Sequence, residues 1–340
     1  MELQCQKTLL VGLSGPSSSG KTTLARLLRT VFTPPSTEGN GDVTATTRPF
    51  VLHQDDFYRP DDQIPVVTTS SGKLVQDWDT IDALDISQFE ATLAYIRDHG
   101  HLPAGIKSKE DLNDATDSGV SGETVRLFRE QVAQRLRDLA LEEQRKRSTA
   151  GSDRKYARDT SSFISLALID GFLLYAPPHD RSHPLRKIND TIDIPFFLPA
   201  TYTLLKKRRE SRTGYVTIGP APTPKPSSQR QADKQQLEQE ENRDVNTYTP
   251  VETNFWTDPP GYVDDIVWPR YIRDHAWLLL PESTQLGENV EDLKRVVGEG
   301  KNLRDDMGVL VAPGNGECLM EELLRWAVDE VLKGVENMFR

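Results

Sequence analysis

The chain has 340 residues, 36% hydrophobic and 27% charged, enough for one large domain or two small ones. Its net charge of −11 disfavours unspecific binding to nucleic acid or an anionic membrane, so any phosphate site must be local. Two cysteines, Cys5 and Cys318, lie at opposite ends without a metal spacing, and no apolar run approaches the length of a membrane span. With no charged-then-apolar leader either, the expected compartment is the cytosol, the nucleus being compatible. Hydrophobic content below the globular average suggests disordered insertions threaded through a normal core.

Residues 8–13 (TLLVGL) form a short apolar run ending near glycine, the pattern of a buried parallel strand. From Lys21 to Phe32, apolar residues at Leu24, Leu27, Leu28 and Val31 have helical spacing. Pro34 to Arg48 is expected as a loop, and 49–56 (PFVLHQDD) as a second strand carrying polar residues at its end. A helix is expected over Leu84 to His99, with Asp85 or Ser87 near its start, and then a polar loop over 100–121. Gly122 to Arg147 reads as a charged helix with a stripe of Val125, Leu127, Phe128, Val132, Leu136 and Leu139. That stripe fits a packed, solvated helix better than a partner-binding element.

Residues 162–175 are the most apolar run and read as a central strand ending at Asp170, with a fourth strand over 190–200. Tyr202 to Arg212 is a basic helix ending in KKRRESR. Residues 216–254 are rich in Pro, Gln, Glu and Ser and are expected to be a disordered insertion. Tyr262 to Asp274 is expected as helix, 276–282 (AWLLLPE) as a fifth strand, and Cys318 to Phe339 as a terminal helix. Alternating strands and helices imply an α/β fold, a parallel sheet with helices on both faces. The expected organisation is one domain over 1–340, with an inserted helix and linkers at 100–161.

Gly15-Pro16-Ser17-Ser18-Ser19-Gly20-Lys21-Thr22 matches the phosphate-binding pattern G-x-x-x-x-G-K-[ST], between an apolar strand and a periodic helix. Glycines let successive N–H groups converge on one anion, and the helix adds its N-terminal dipole. Lys21 neutralises charge on the β- and γ-phosphates, and the Thr22 hydroxyl is suited to Mg²⁺. Asp55 and Asp56 stand at the end of the second strand, where open α/β sheets gather ligands; the alternative is a pair of turn residues. Guanidinium groups of the basic helix suit phosphates or paired hydroxyls, or else simply complement a helix end.

GPSSSGKTTLA, QDDFYRP, DWDTIDALD, LIDGFLLY, KKRRESR and DPPGYVDDIVWPRY, in that order, resemble the motifs of nicotinamide riboside kinases in the uridine kinase-like group of P-loop kinases. The resemblance implies a lid helix and ATP-dependent phosphorylation of a nucleoside 5′-hydroxyl, with ATP and Mg²⁺ required. Gly15, Pro16, Ser17, Ser18, Ser19, Gly20, Lys21, Thr22 and Thr23 would bind ATP, together with Arg208 and Arg212. Lys21 and Asp55 would be catalytic, Asp55 as general base. Asp55, Asp56, Phe57, Tyr58, Trp78, Asp79, Arg209 and Tyr215 would meet the nucleoside. Thr22, Asp55 and Asp170 would face the metal, Asp170 standing where animal relatives carry glutamate. Thr213-Gly214-Tyr215 shifts the lid aromatic by one position relative to the family. A cationic pyridinium suits Trp78, whose other reading is a half-buried surface residue. The alternatives are a uridine, cytidine or small-alcohol kinase and a nucleotide-binding regulator; a switch GTPase would need an N/T-K-x-D element, which is absent. Oligomeric state is left open, with a monomer favoured.

Overall fold

A computed structural model describes residues 7–34, 46–106, 117–149, 163–211, 215–218, 253–256, 258–280, 304 and 306–339. A central sheet is built from β1 (Lys7–Ser14), β2 (Thr46–His53), β5 (Phe163–Asp170), β6 (Ile194–Phe197) and β9 (Leu310–Val311). The order is β2-β5-β1-β6-β9, with every neighbouring pair parallel. Between these strands lie α1 (Lys21–Phe32), α2 (Ile86–His99), α3 (Gly122–Thr149), α4 (Arg186–Thr191) and α5 (Tyr202–Glu210). A five-residue π turn, Val263–Val267, runs straight into α6 (Trp268–Leu279), and α7 (Met320–Met338) is the last helix. Two small antiparallel ladders complete the fold, β3 (Val66–Thr68) with β4 (Leu74–Gln76) and β7 (Tyr215–Ile218) with β8 (Thr253–Trp256).

The sheet is buried on both faces, which explains why its strands read as continuous apolar runs. Leu9, Val11 and Leu13 pack with α1, α3 and α7 on one side. Leu10, Leu52, Ala167 and Ile169 pack with α2 and α6 on the other. The apolar stripe of α3 is part of that packing through Phe128, Val132, Leu136 and Leu139, while Leu127 is exposed. Local signals set the helix ends. The Asp85 carboxylate caps α2 by accepting the Gln88 N–H at 2.9 Å, and Gly100 closes it at φ 67.

Several expectations need correction. The apolar run from 276 is not a strand, because α6 continues through Leu279; 281 and 282 lie outside the described residues. Buried Trp268, Tyr271, Ile272, His275, Ala276 and Leu279 recur at helical spacing, and this face covers the sheet. The fifth strand is instead β9, only two residues long. The fourth strand is confined to Ile194–Phe197, since α4 occupies 190 and 191. Residues 216–218 and 253–254, expected within a disordered insertion, belong to the β7–β8 ladder; 219–252 lie outside the described residues.

Candidate active site

The carboxyl ends of β1, β2 and β5 finish level, with Leu13 and His53 both in register with Asp170. The phosphate loop leaves β1 at this edge. Gly15 (φ 144) and Gly20 (φ 101) adopt backbone angles that side chains disfavour, and a Cβ on Gly15 would collide with the Leu198 carbonyl oxygen. Ser18 also turns through positive φ, and the Ser19 N–H closes the loop on the Pro16 carbonyl at 3.2 Å. Lys21 is buried, and its Nζ donates to the Pro16 carbonyl at 2.9 Å. The Ser18 and Ser19 hydroxyl oxygens are shielded within the loop.

Thr22 and Asp170 meet beneath this loop. The Thr22 hydroxyl donates to Asp170 Oδ2 at 2.6 Å, and His53 Nδ1 lies 3.0 Å from the same oxygen. Burial pushes the Asp170 carboxyl up, but the His53 hydrogen bond, the Lys21 charge and Thr22 outweigh it, so its pKa is lowered. An ionised carboxylate beside a hydroxyl is a donor set for a hard divalent cation. Among the described residues no group of three or more His, Cys, Asp or Glu could hold a metal ion. Water and phosphate oxygens would have to complete the shell, as is usual for Mg²⁺.

Asp55 sits in a short 3-10 turn, 54–57, directly after β2, and is half-buried with its neighbour Asp56. Gln54 anchors this turn: its amide donates to the Leu173 carbonyl at 2.5 Å and accepts the Leu173 N–H at 3.0 Å. Gly171 permits that approach, since a Cβ there would come within 2.8 Å of Gln54 Oε1. Phe57, expected to meet the nucleoside, is buried against Phe89 with ring centroids 4.8 Å apart, because Gln54 and Phe57, three positions apart on the 3-10 turn, both face the core.

Tyr58 donates to the Trp78 carbonyl at 3.0 Å, meets the Trp78 ring edge-on and stacks on Phe172. Asp79 is buried with an Arg209 Nη1 at 3.6 Å. Arg209 is in turn gripped by Asp258, through Nε at 2.6 Å and Nη2 at 3.1 Å, with its guanidinium 5.6 Å from the Tyr262 ring centre. Burial raises the Asp79 carboxyl; Arg209 opposes this, Asp258 and Asp77 reinforce it, and Lys21 opposes it from the phosphate loop. Asp79 and Lys21 therefore feel each other. A small cavity runs from Asp79 to the phosphate loop, lined by Pro16, Ser17, Phe172, Tyr271 and His275 among others.

Arg208 lies on the same helix but turns elsewhere, donating to the Gly316 carbonyl at 2.9 Å. The segment that follows Gly316 still abuts the phosphate loop, because a Cβ on Gly20 would come within 3.0 Å of the Met320 side chain. Thr23 is half-buried in the first turn of α1. Arg212 lies outside the described residues, and Tyr215 is described only by its backbone pairing with Trp256. His53, Gln54, Phe172, Asp258, Tyr262 and His275 were not singled out by sequence reasoning. Gln54, Phe172, Asp258 and Tyr262 lie inside QDDFYRP, LIDGFLLY and DPPGYVDDIVWPRY, and His53 directly precedes the first; His275 had no motif to point to it.

A five-stranded parallel sheet with this loop after β1 and an acid at the end of neighbouring β5 defines an α/β fold of the P-loop kinase type. No family model matches the chain. It is 29% identical over 331 residues to a nicotinamide riboside kinase of Schizosaccharomyces pombe, across 97% of this chain and 99% of that protein. It is 30% identical over 271 residues to one from Eremothecium gossypii, across 80% of this chain and 77% of that protein. A third, from Saccharomyces cerevisiae, is 25% identical over 328 residues, 96% and 97% of the two chains. The chain belongs to the nicotinamide riboside kinase family. Among the described residues no helix is long and apolar enough to cross a membrane.

Proposed function

We propose that this chain transfers the γ-phosphoryl group of ATP to the 5′-hydroxyl of nicotinamide riboside, giving nicotinamide mononucleotide and ADP. The observation that carries the reading is the phosphate loop with Thr22 on Asp170, beside which Asp79 is buried against Arg209, in a chain of this family. A buried carboxylate there can accept hydrogen bonds from both vicinal ribose hydroxyls. Arg209, held by Asp258, adds donors to the same edge of the sugar. Half-buried Trp78 offers an aromatic face to the cationic pyridinium.

The loop amides and Lys21 hold the β- and γ-phosphates in line with the acceptor. Asp55 takes the proton of the 5′-hydroxyl as its oxygen bonds to the γ-phosphorus; the bond to the β,γ-bridging oxygen breaks and ADP departs. Thr22 and Asp170 would hold Mg²⁺, with Asp55 approaching it. The ion supplies charge neutralisation on the transferring group. His53 keeps Asp170 ionised and oriented for that role. The basic helix α5, carrying Arg208 and Arg209 with Arg212 just beyond, would close over the site and exclude water.

A panel of nicotinamide riboside, uridine and cytidine with purified protein and Mg·ATP tests the reading. The expected result is the highest kcat/KM with nicotinamide riboside. Faster turnover of uridine or cytidine would replace the proposed substrate, and ATP binding without any phosphoryl transfer would replace the enzyme with a nucleotide-binding regulator.

A further inference from the structure

Asp77 has no role in the chemistry above, yet it is 0% exposed and stands two residues ahead of Asp79. Its carboxylate is divided between two tasks. Oδ1 accepts the Asp79 backbone N–H at 3.2 Å. Oδ2 accepts Arg270 Nε at 2.7 Å and has Arg270 Nη2 at 2.5 Å. The rest of the turn is equally tied: the Asp77 N–H donates to the Pro65 carbonyl at 2.8 Å, and the Trp78 N–H to the Tyr262 hydroxyl at 3.1 Å. Arg270 belongs to α6, which also sends Tyr271 and His275 into the cavity.

A buried carboxylate without its counter-ion takes up a proton or draws in water, and either would loosen the turn it organises. Burial already pushes the Asp77 carboxyl up, and the Arg270 charge and hydrogen bond oppose that push. We infer that the Asp77–Arg270 pair is a positioning device, fixing the Asp79 carboxylate relative to α6 and thereby setting affinity for the nucleoside rather than for ATP. The pair acts through the backbone of Asp79; Asp77 also bonds the Pro65 carbonyl through its own N–H, and the Arg273 charge adds to that of Arg270. The inference rests on the nicotinamide riboside reading above.

The test compares wild type, D77N, R270K and the neutral pair D77N/R270Q, measuring KM for each substrate, kcat and the melting temperature. D77N keeps an acceptor for the Asp79 N–H but loses the charge. The nicotinamide riboside KM should rise about tenfold in D77N and about threefold in R270K, with the ATP KM and kcat within about twofold. The neutral pair should recover part of the lost nucleoside affinity, a rescue that a purely stabilising contact would not give. A folded D77N with an unchanged nucleoside KM, or one whose ATP KM rises in parallel, overturns the role. Should D77N fail to fold, R270K decides by the same criteria, because the Arg270 side chain is 28% exposed. If the wild type ignores nicotinamide riboside, the substrate assignment fails instead, and the positioning role is judged on the nucleoside it does phosphorylate.

Discussion

The two halves of the site are built on opposite plans. The phosphate side comes from one continuous stretch, 15–22, and its internal contacts run between near neighbours such as Ser19 to Pro16 and Lys21 to Pro16. The nucleoside side is assembled from distant segments: Arg209 reaches Asp258 across 49 positions, and Arg270 reaches Asp77 across 193. An anion can be held by backbone dipoles that a local conformation aims, so a short motif suffices. Buried carboxylates such as Asp77 and Asp79 need cations brought to them by the fold, because burial alone would neutralise them.

Four measurements break or sharpen this contrast. The largest effect is expected where the halves meet: Asp55→Ala should lower kcat by about 10²–10⁴-fold while leaving the ATP Kd unchanged by calorimetry. Weakened ATP binding to match would return Asp55 to a structural role. Next comes Asp258→Ala, which removes the carboxylate gripping the buried Arg209 and leaves Asp79 at 3.6 Å. A loss of about 2 kcal/mol is expected in chemical denaturation, less than a fully stripped buried pair because Asp79 remains. The nucleoside KM should rise with it; a rise in the ATP KM alone would mean that the long-range pairs serve the phosphate side.

Gly15→Ala probes the local half. Positive φ and the collision with the Leu198 carbonyl should cost about 1–3 kcal/mol and weaken ATP binding, with little change in nucleoside affinity. Equal loss of both affinities would show that the halves are coupled through the loop. The smallest effect is a pH dependence. Asp79, raised by burial, must be ionised to accept ribose hydroxyls, so acidification protonates it earlier than an ordinary carboxylate and raises the nucleoside KM. Asp170 is shifted down and stays ionised through the same window, so the ATP KM should hold steady. Parallel rises in the two KM values as pH falls would count against the opposite shifts of these two acids.

The errors of sequence reading follow the same division. Helices α1 and α2 were legible because spacing and capping residues are local. The run from Ala276 was mistaken for a strand because four consecutive apolar residues, Trp277 to Leu280, hide the helical recurrence that begins at Trp268. Strand β9 could not be read at all, since two residues carry no periodicity and only pairing with Phe196 and Phe197 makes them a strand. The motif points Phe57 at the nucleoside, and only the packing shows that its ring lies against Phe89.

By itself the sequence determined the parallel α/β class, the phosphate loop and the acids at the strand ends, because apolar periodicity and backbone conformation are written in neighbouring residues. It also marked Asp79 and Arg209 as candidates through their motifs. The tertiary structure decided which partner meets which: Asp258 for Arg209, Arg270 for Asp77, and His53 for Asp170. Those pairings depend on distances across the folded chain, and a linear order of residues holds no measure of them.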